Sequence, residues 1–248
     1  MRHTSSMSAH PQGPRKGIVV ELAAGQSLSP KGPRTMKLIA HALGNVFLGI
    51  ALGLAVYYLL TDLVTTQNQV ALTRQLDVGT LSSVEPTSDA PLMEWEGWQE
   101  QDVAYWTSLA PGGPFGRIVA ESIRLDAVVV KGARRQDLTR GPGWLDYTDF
   151  PGPSGNVGIA GHRTTYGAPF RSLHLLSSGD TIDVYSPYRR YRYVVSGSER
   201  VTPNRVDVMD TTASPQLTLS ACDPPYSARY RLIVHADLVE VRRLERNE

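Results

Sequence analysis

Three residues in this chain have the chemistry for acyl transfer. Cys222 is the only cysteine among 248 residues, so no disulfide within the chain and no thiolate-rich zinc site is available to it. It ends an apolar run, Leu217-Thr218-Leu219-Ser220-Ala221-Cys222, and Asp223-Pro224-Pro225 follows. A thiolate at a strand end beside a stiff loop is well placed to attack a carbonyl, although a free cysteine taken alone is more often a small buried hydrophobe. His162 ends a second short run, Gly158-Ile159-Ala160-Gly161-His162, whose glycines let other backbone or a substrate come close. Taken alone, it reads as a hydrogen-bonded structural histidine. Arg231 opens a third run, Arg231-Leu232-Ile233-Val234, and Arg229 lies two residues before it. A loop over 223–230 can return the chain so that Arg231 lies beside Cys222 on a neighbouring strand. A nucleophile, a proton carrier and a permanent cation for the oxyanion together make an acyl-transfer site.

Strands are the elements that must position these residues. From Phe115 onward the pattern is mainly β, with short β-branched or alternating runs over 117–121, 126–130, 156–160, 181–185, 190–195, 216–221 and 231–241. Pro/Gly clusters separate them, and one helical piece is expected over 169–176. So many short strands with so little helix indicate a closed or nearly closed β-barrel. Arg134-Arg135 and Arg189-Arg190-Arg192 read as solvated strand ends.

Before the barrel, charge divides the chain. Net charge is only +1, which gives a nucleic-acid partner no support. Residues 1–37 hold six Lys/Arg against Glu21 alone, residues 38–60 hold no charge, and residues 61–114 hold eight acids against Arg74. The apolar 38–60 run is long enough for a bilayer-spanning helix, with Tyr57 and Tyr58 at its far end as interfacial aromatics. The basic flank precedes it, so the N-terminus is expected in the cytoplasm and the rest outside. The expected organisation is a disordered basic tail over 1–37, a transmembrane helix over 38–60, and a stalk over 61–114. That stalk carries a helix at 91–109, capped by Asp89 and docked on the domain that follows. The catalytic barrel then covers 115–243, with a short tail over 244–248.

Several linked segments resemble the sortase family over roughly 115–243, most closely its class E branch. Asn156-Val157-Gly158-Ile159-Ala160-Gly161-His162-Arg163 looks like the family's histidine strand, and Thr164-Thr165-Tyr166-Gly167-Ala168-Pro169-Phe170-Arg171 like its class D/E continuation. Thr218-Leu219-Ser220-Ala221-Cys222 looks like the cysteine strand, with Ala221 where the family usually has Thr. Ser227-Ala228-Arg229-Tyr230-Arg231-Leu232-Ile233-Val234 looks like the arginine strand, and Arg231 holds the family position. The resemblance implies a closed eight-stranded barrel behind a single membrane helix. It implies a cysteine transpeptidase that cuts an LAxTG- or LPxTG-like C-terminal sorting signal between Thr and Gly. A thioester at Cys222 then passes the protein to a peptidoglycan-precursor or pilin amine. It makes His162, Cys222 and Arg231 catalytic, and marks Thr218, Ser220 and Ala221 as neighbours of the substrate; Tyr226, with Asp223, Pro224 and Pro225, is expected to shape the loop rimming the site and to meet the substrate there. No metal or other cofactor is implied.

Three other readings fit less well. A cysteine hydrolase needs the same trio without an amine acceptor. A non-enzymatic anchored β-barrel binding module would leave Cys222 unreactive. An L,D-transpeptidase-like enzyme would place a second histidine close before the cysteine, where this chain has Ser220-Ala221.

Overall fold

The computed structural model describes residues 34–76, 80–81 and 93–245. The expected basic tail, apart from its last four residues, the cap at Asp89 and residues 246–248 lie outside the described residues. The chain divides into two compact units, Met1–Leu48 and Gly49–Glu248, and the barrel with everything that touches it belongs to the second.

Helix α1 (Arg34–Leu76) contains the apolar 38–60 run and continues past it. It is long and apolar enough to cross a membrane. The run is exposed almost throughout, whereas a stripe of Thr61, Thr65, Leu72 and Leu76 beyond it is buried. Those positions fall four or seven apart, on one helical face. Leu72 and Leu76 pack on Val128 and Val130, and the Gln69 amide bonds both the Val128 N–H (2.7 Å) and its carbonyl (3.0 Å). Backbone that would otherwise lie open on a strand edge is thereby satisfied.

The remaining elements form the barrel. A two-residue strand, β1 (Thr80–Leu81), adds to the end of the last strand. The barrel strands are β2 (Pro114–Ala120), β3 (Leu125–Lys131), β4 (Gly143–Trp144), β5 (Asn156–Gly161), β6 (Thr181–Tyr185), β7 (Arg189–Val201), β8 (Gln216–Asp223) and β9 (Tyr230–Glu245). They join in the order β9-β7-β6-β2-β3-β4-β5-β8 and close by pairing β8 with β9, a barrel of eight strands. Only β3–β4 and β5–β8 run parallel. Between β5 and β6 the expected helix is reduced to one turn, Leu173–Leu175.

The segment before β2 closes one end of the barrel. A short π-helical turn (Gln99–Val103) leads into α2 (Ala104–Ser108), and Met93 bridges to Val241. Trp106 is fully buried, donates Nε1–H to the Phe115 carbonyl at 2.8 Å, and stacks on Phe115 and Phe150 with centroids 5.2 Å apart. Asp102 reaches the same interior and pairs there with Arg189, while Arg190 pairs with Glu240 and Arg192 with Asp183. The arginine run read as solvated strand ends is therefore largely inside. A buried carboxylate demands a buried cation, and Arg189 also donates to the carbonyls of Glu94 and Glu96.

Candidate active site

Strand register assembles the site. In the parallel pair, Gly158 lies beside Thr218, Ala160 beside Ser220 and Gly161 beside Ala221, so the next step places His162 beside Cys222. In the antiparallel pair, Cys222 lies directly opposite Arg231. Neighbouring strands are about 4.8 Å apart, so the three residues form a row across β5, β8 and β9 at one end of the sheet, with cysteine in the middle. All three are half-buried.

Alternation along the strands decides which face each side chain takes. Leu217, Leu219 and Ala221 point into the core, which sends Thr218, Ser220 and Cys222 to the outer face. Opposed residues share a face, so His162 and Arg231 lie there too. Further along that face Ile233 packs with Met209 and Val201, with Leu145 and Val208 against them, to make an apolar floor beside the row.

Two glycines set how closely this layer fits. A Cβ on Gly161 would sit 2.6 Å from the Phe170 ring, and one on Gly158 would sit 2.9 Å from Leu145 and Thr148. The Phe170 amide in turn donates to the His162 carbonyl at 3.0 Å. The imidazole itself is oriented by packing. Its Nε2 is buried and has no hydrogen-bond partner among the described residues, and its ring lies 5.2 Å from that of Tyr166, tilted 34°. Burial pushes its pKa below the ordinary 6.5, because desolvation disfavours the imidazolium. At neutral pH the ring is therefore neutral and can take a proton from the thiol.

Arg231 Nη1 donates only to the carbonyls of Ala228 and Tyr230, each at 3.2 Å, with no carboxylate on it among the described residues. A guanidinium without a carboxylate keeps donors for a developing oxyanion. Tyr226 stands in the loop between β8 and β9, 79% exposed, in a left-handed backbone conformation with φ of 65°. Ser220, half-buried on the row's own face, is also open to a bound peptide. Ala221, expected beside the substrate, is turned from it, and Thr218, although on the row's own face, is closed off from it by burial. Thr218 is fully buried and donates to Asn156 Oδ1 at 2.8 Å, and Ala221 is 2% exposed on the inner face. The replacement of the family's Thr at Ala221 therefore changes the barrel interior.

An ion pair lies directly beneath the row. Arg163 follows His162 and Asp223 follows Cys222, both on the inner face, and their side chains pair at 5% and 7% exposure. Arg163 Nη1 also donates to the Cys222 carbonyl at 3.3 Å. Arg200 of β7 stands in charge contact with the other Asp223 oxygen without the alignment of a hydrogen bond. β5 stops pairing at Gly161 while β8 runs on to Asp223, still paired with β9, so the ion pair ties the released end of β5 to β8. The signal for it was present in the sequence. Two residues at the same offset from parallel-paired partners, with opposite charge, meet across the strands.

Residues 118–239 match the model of the Sortase domain family. That range contains the whole row. The barrel belongs to the sortase family. Sortase SrtE1 of Streptomyces coelicolor is 36% identical over 98 residues, which cover 36% of this chain and 28% of that protein. Sortase A of Bacillus anthracis is 30% identical over 125 residues, 50% of this chain and 59% of that one. The chain thus spans between about a quarter and three fifths of these relatives. The crystal structure of Sortase E1 from Streptomyces coelicolor, with a tripeptide in its active site, superposes with a TM-score of 0.51 at 28% identity, over 55% of this chain and 94% of that one.

Proposed function

We propose that this protein is a membrane-anchored cysteine transpeptidase of the sortase type. It cleaves an LAxTG- or LPxTG-like C-terminal sorting signal between Thr and Gly and transfers the new carboxyl terminus to an amine of the cell wall or of a pilin. The observation that carries the reading is the row His162–Cys222–Arg231 on one open face of three neighbouring strands. Family membership supports it, as does the tripeptide held in the active site of the related Sortase E1.

Neutral His162 takes the Cys222 proton as sulfur attacks the threonine carbonyl carbon. Arg231 donates to the oxyanion and cannot itself act as a base. The C–N bond then breaks, the imidazolium returns its proton to the leaving glycine amine, and a thioester remains on Cys222. An acceptor amine attacks that thioester, His162 takes the amine proton, the C–S bond breaks and the thiol is restored. The apolar 38–60 run spans the membrane, with the basic residues before it in the cytoplasm and the barrel outside.

The test is the full chain in detergent with an LAxTG peptide, with and without a short amine, followed by mass spectrometry. Cleavage between Thr and Gly with an amine-dependent product, absent in Cys222→Ala, is the expected result. Cleavage without amine dependence assigns a hydrolase. No cleavage of LAxTG or LPxTG peptides, with a Cys222 that resists alkylation, leaves a binding module.

A further inference from the structure

Nothing in the protein hydrogen-bonds the His162 ring among the described residues, so whatever holds Tyr166 against it sets its position. Tyr166 sits in a strained loop. Tyr166, Gly167 and Ala168 have φ of 52°, 73° and 43°, three consecutive left-handed residues of which two carry a Cβ. Each such non-glycine residue is strained and persists only where its surroundings over-determine it. Here the surroundings include helix α1. The Gly167 amide donates to Asp62 Oδ1 at 3.0 Å. A Cβ on Gly167 would lie 3.3 Å from the Thr65 methyl, so helix and loop are in direct contact. Thr65 Oγ1 donates to the Thr139 carbonyl at 3.0 Å and Gln69 to that of Arg140 at 2.8 Å, which fixes the helix on the barrel beside the loop.

We infer that the α1 segment from Asp62 to Gln69 is a working part of the site, and that Asp62 is a positioning residue which, through Gly167 and Tyr166, holds the His162 imidazole in place beside Cys222. The chain of contact is short. Asp62 holds the loop backbone, the loop carries the Tyr166 ring, and the ring packs on the imidazole. Asp62 also lies two residues beyond the apolar 38–60 run, about 3 Å along the axis at 1.5 Å per residue. The element that anchors the protein thus also completes its proton carrier. A barrel severed from α1 would keep the cysteine and arginine strands and lose the restraint on the histidine loop.

The test uses the full chain in detergent micelles. Asp62→Ala removes the acceptor from Gly167, whereas Asp62→Asn keeps an acceptor oxygen at the same place. The first readout needs no substrate and is the titration of His162 by NMR of ring-labelled histidine. Cys222 stands beside the ring in strand register and Tyr166 packs on it, and neither is altered; both variants remove the Asp62 charge, so a difference between them reports the lost acceptor and not the lost charge. Asp62→Ala is expected to raise the midpoint toward 6.5 as the ring gains water, and Asp62→Asn to leave it in place. The second readout rests on the transpeptidase reading. The kcat of Asp62→Ala is expected to fall about tenfold with the peptide KM within twofold, since a small misplacement of a catalytic group costs on the order of 10–100-fold. Asp62→Asn is expected to recover most of that loss. An unchanged His162 midpoint in Asp62→Ala, or equal effects of the two variants, overturns the inference. A wild-type protein inactive on every sorting peptide but with the expected titration shift overturns the transpeptidase reading and leaves this inference standing.

Discussion

Replacing Arg163 by Met is the perturbation whose size the structure defines best. The Arg163–Asp223 pair is buried, at 5% and 7% side-chain exposure. Removing one partner of a buried pair costs about 3–5 kcal/mol, mostly because the other charge stays buried without compensation. Arg200 remains on Asp223 in the variant, which places Arg163→Met at the lower end, about 3 kcal/mol. For a folded unit of this size each kcal/mol shifts Tm by about 2–4 °C, so thermal unfolding in detergent should drop by roughly 6–12 °C. Asp223→Leu leaves the guanidinium with only the Cys222 carbonyl and should fall further. The double variant Arg163→Met/Asp223→Leu removes both charges and should regain most of the stability, as apolar replacements of buried pairs do. Its kcat should stay low, because nothing then ties the strand ends that carry His162 and Cys222. A Tm for Arg163→Met within about 2 °C of wild type, or a double variant no more stable than Asp223→Leu, would refute this reasoning.

Other outcomes follow from the same geometry. Arg231→Ala should lower kcat by about 10²–10³ in a steady-state peptide assay, the loss typical of an oxyanion donor; a loss below threefold would remove Arg231 from that role. Gly161→Ala should destabilise by about 1–3 kcal/mol in denaturant unfolding, since the new Cβ meets the Phe170 ring at 2.6 Å. Leu72→Ala should cost about 2–5 kcal/mol in the same assay, because Leu72 is fully buried where α1 docks on β3. His162 has its folded pKa below 6.5, so the unfolded chain binds its proton first, and the stability this group confers is present above 6.5 and lost as pH falls below it. Tm measured from pH 7.5 down to 5 should therefore fall less steeply in His162→Gln than in wild type, and parallel curves would contradict the burial.

The row was legible in the sequence because each member ends or opens an apolar run, and runs of alternating residues become neighbouring strands. What the sequence could not show was which face each residue takes. Ala221 and Cys222 are adjacent in the chain, and the pleat sends one inward and the other outward. The same limit applied to Arg189. A cluster of arginines reads as solvated until a fully buried partner is found, and Asp102 lies 87 residues away in a segment that looked like a stalk. The extension of α1 past residue 60 was hidden for a similar reason. The first half of its docked face is Thr61, Thr65 and the half-buried Gln69, whose polar side chains bond barrel backbone or their own helix, and a hydropathy pattern registers only Leu72 and Leu76 beyond them.

The sheet's two faces divide the work at this end of the barrel. On the outer face the proposed trio His162, Cys222 and Arg231 is incompletely satisfied among the described residues: an unpartnered imidazole nitrogen, a free thiol, and a guanidinium without a carboxylate. On the inner face, one residue further along β5 and β8, Arg163 and Asp223 satisfy each other. Groups left unsatisfied for catalysis lower stability, and a rigid support beneath them is what keeps them from relaxing onto one another. A barrel closed by backbone pairing alone would loosen here, since β5 has already stopped pairing at Gly161. The pair beneath the row and the helix beside the histidine loop restrain the site from two independent directions. Losses at Arg163 and Asp62 should therefore compound when combined, each having removed a restraint the other cannot replace.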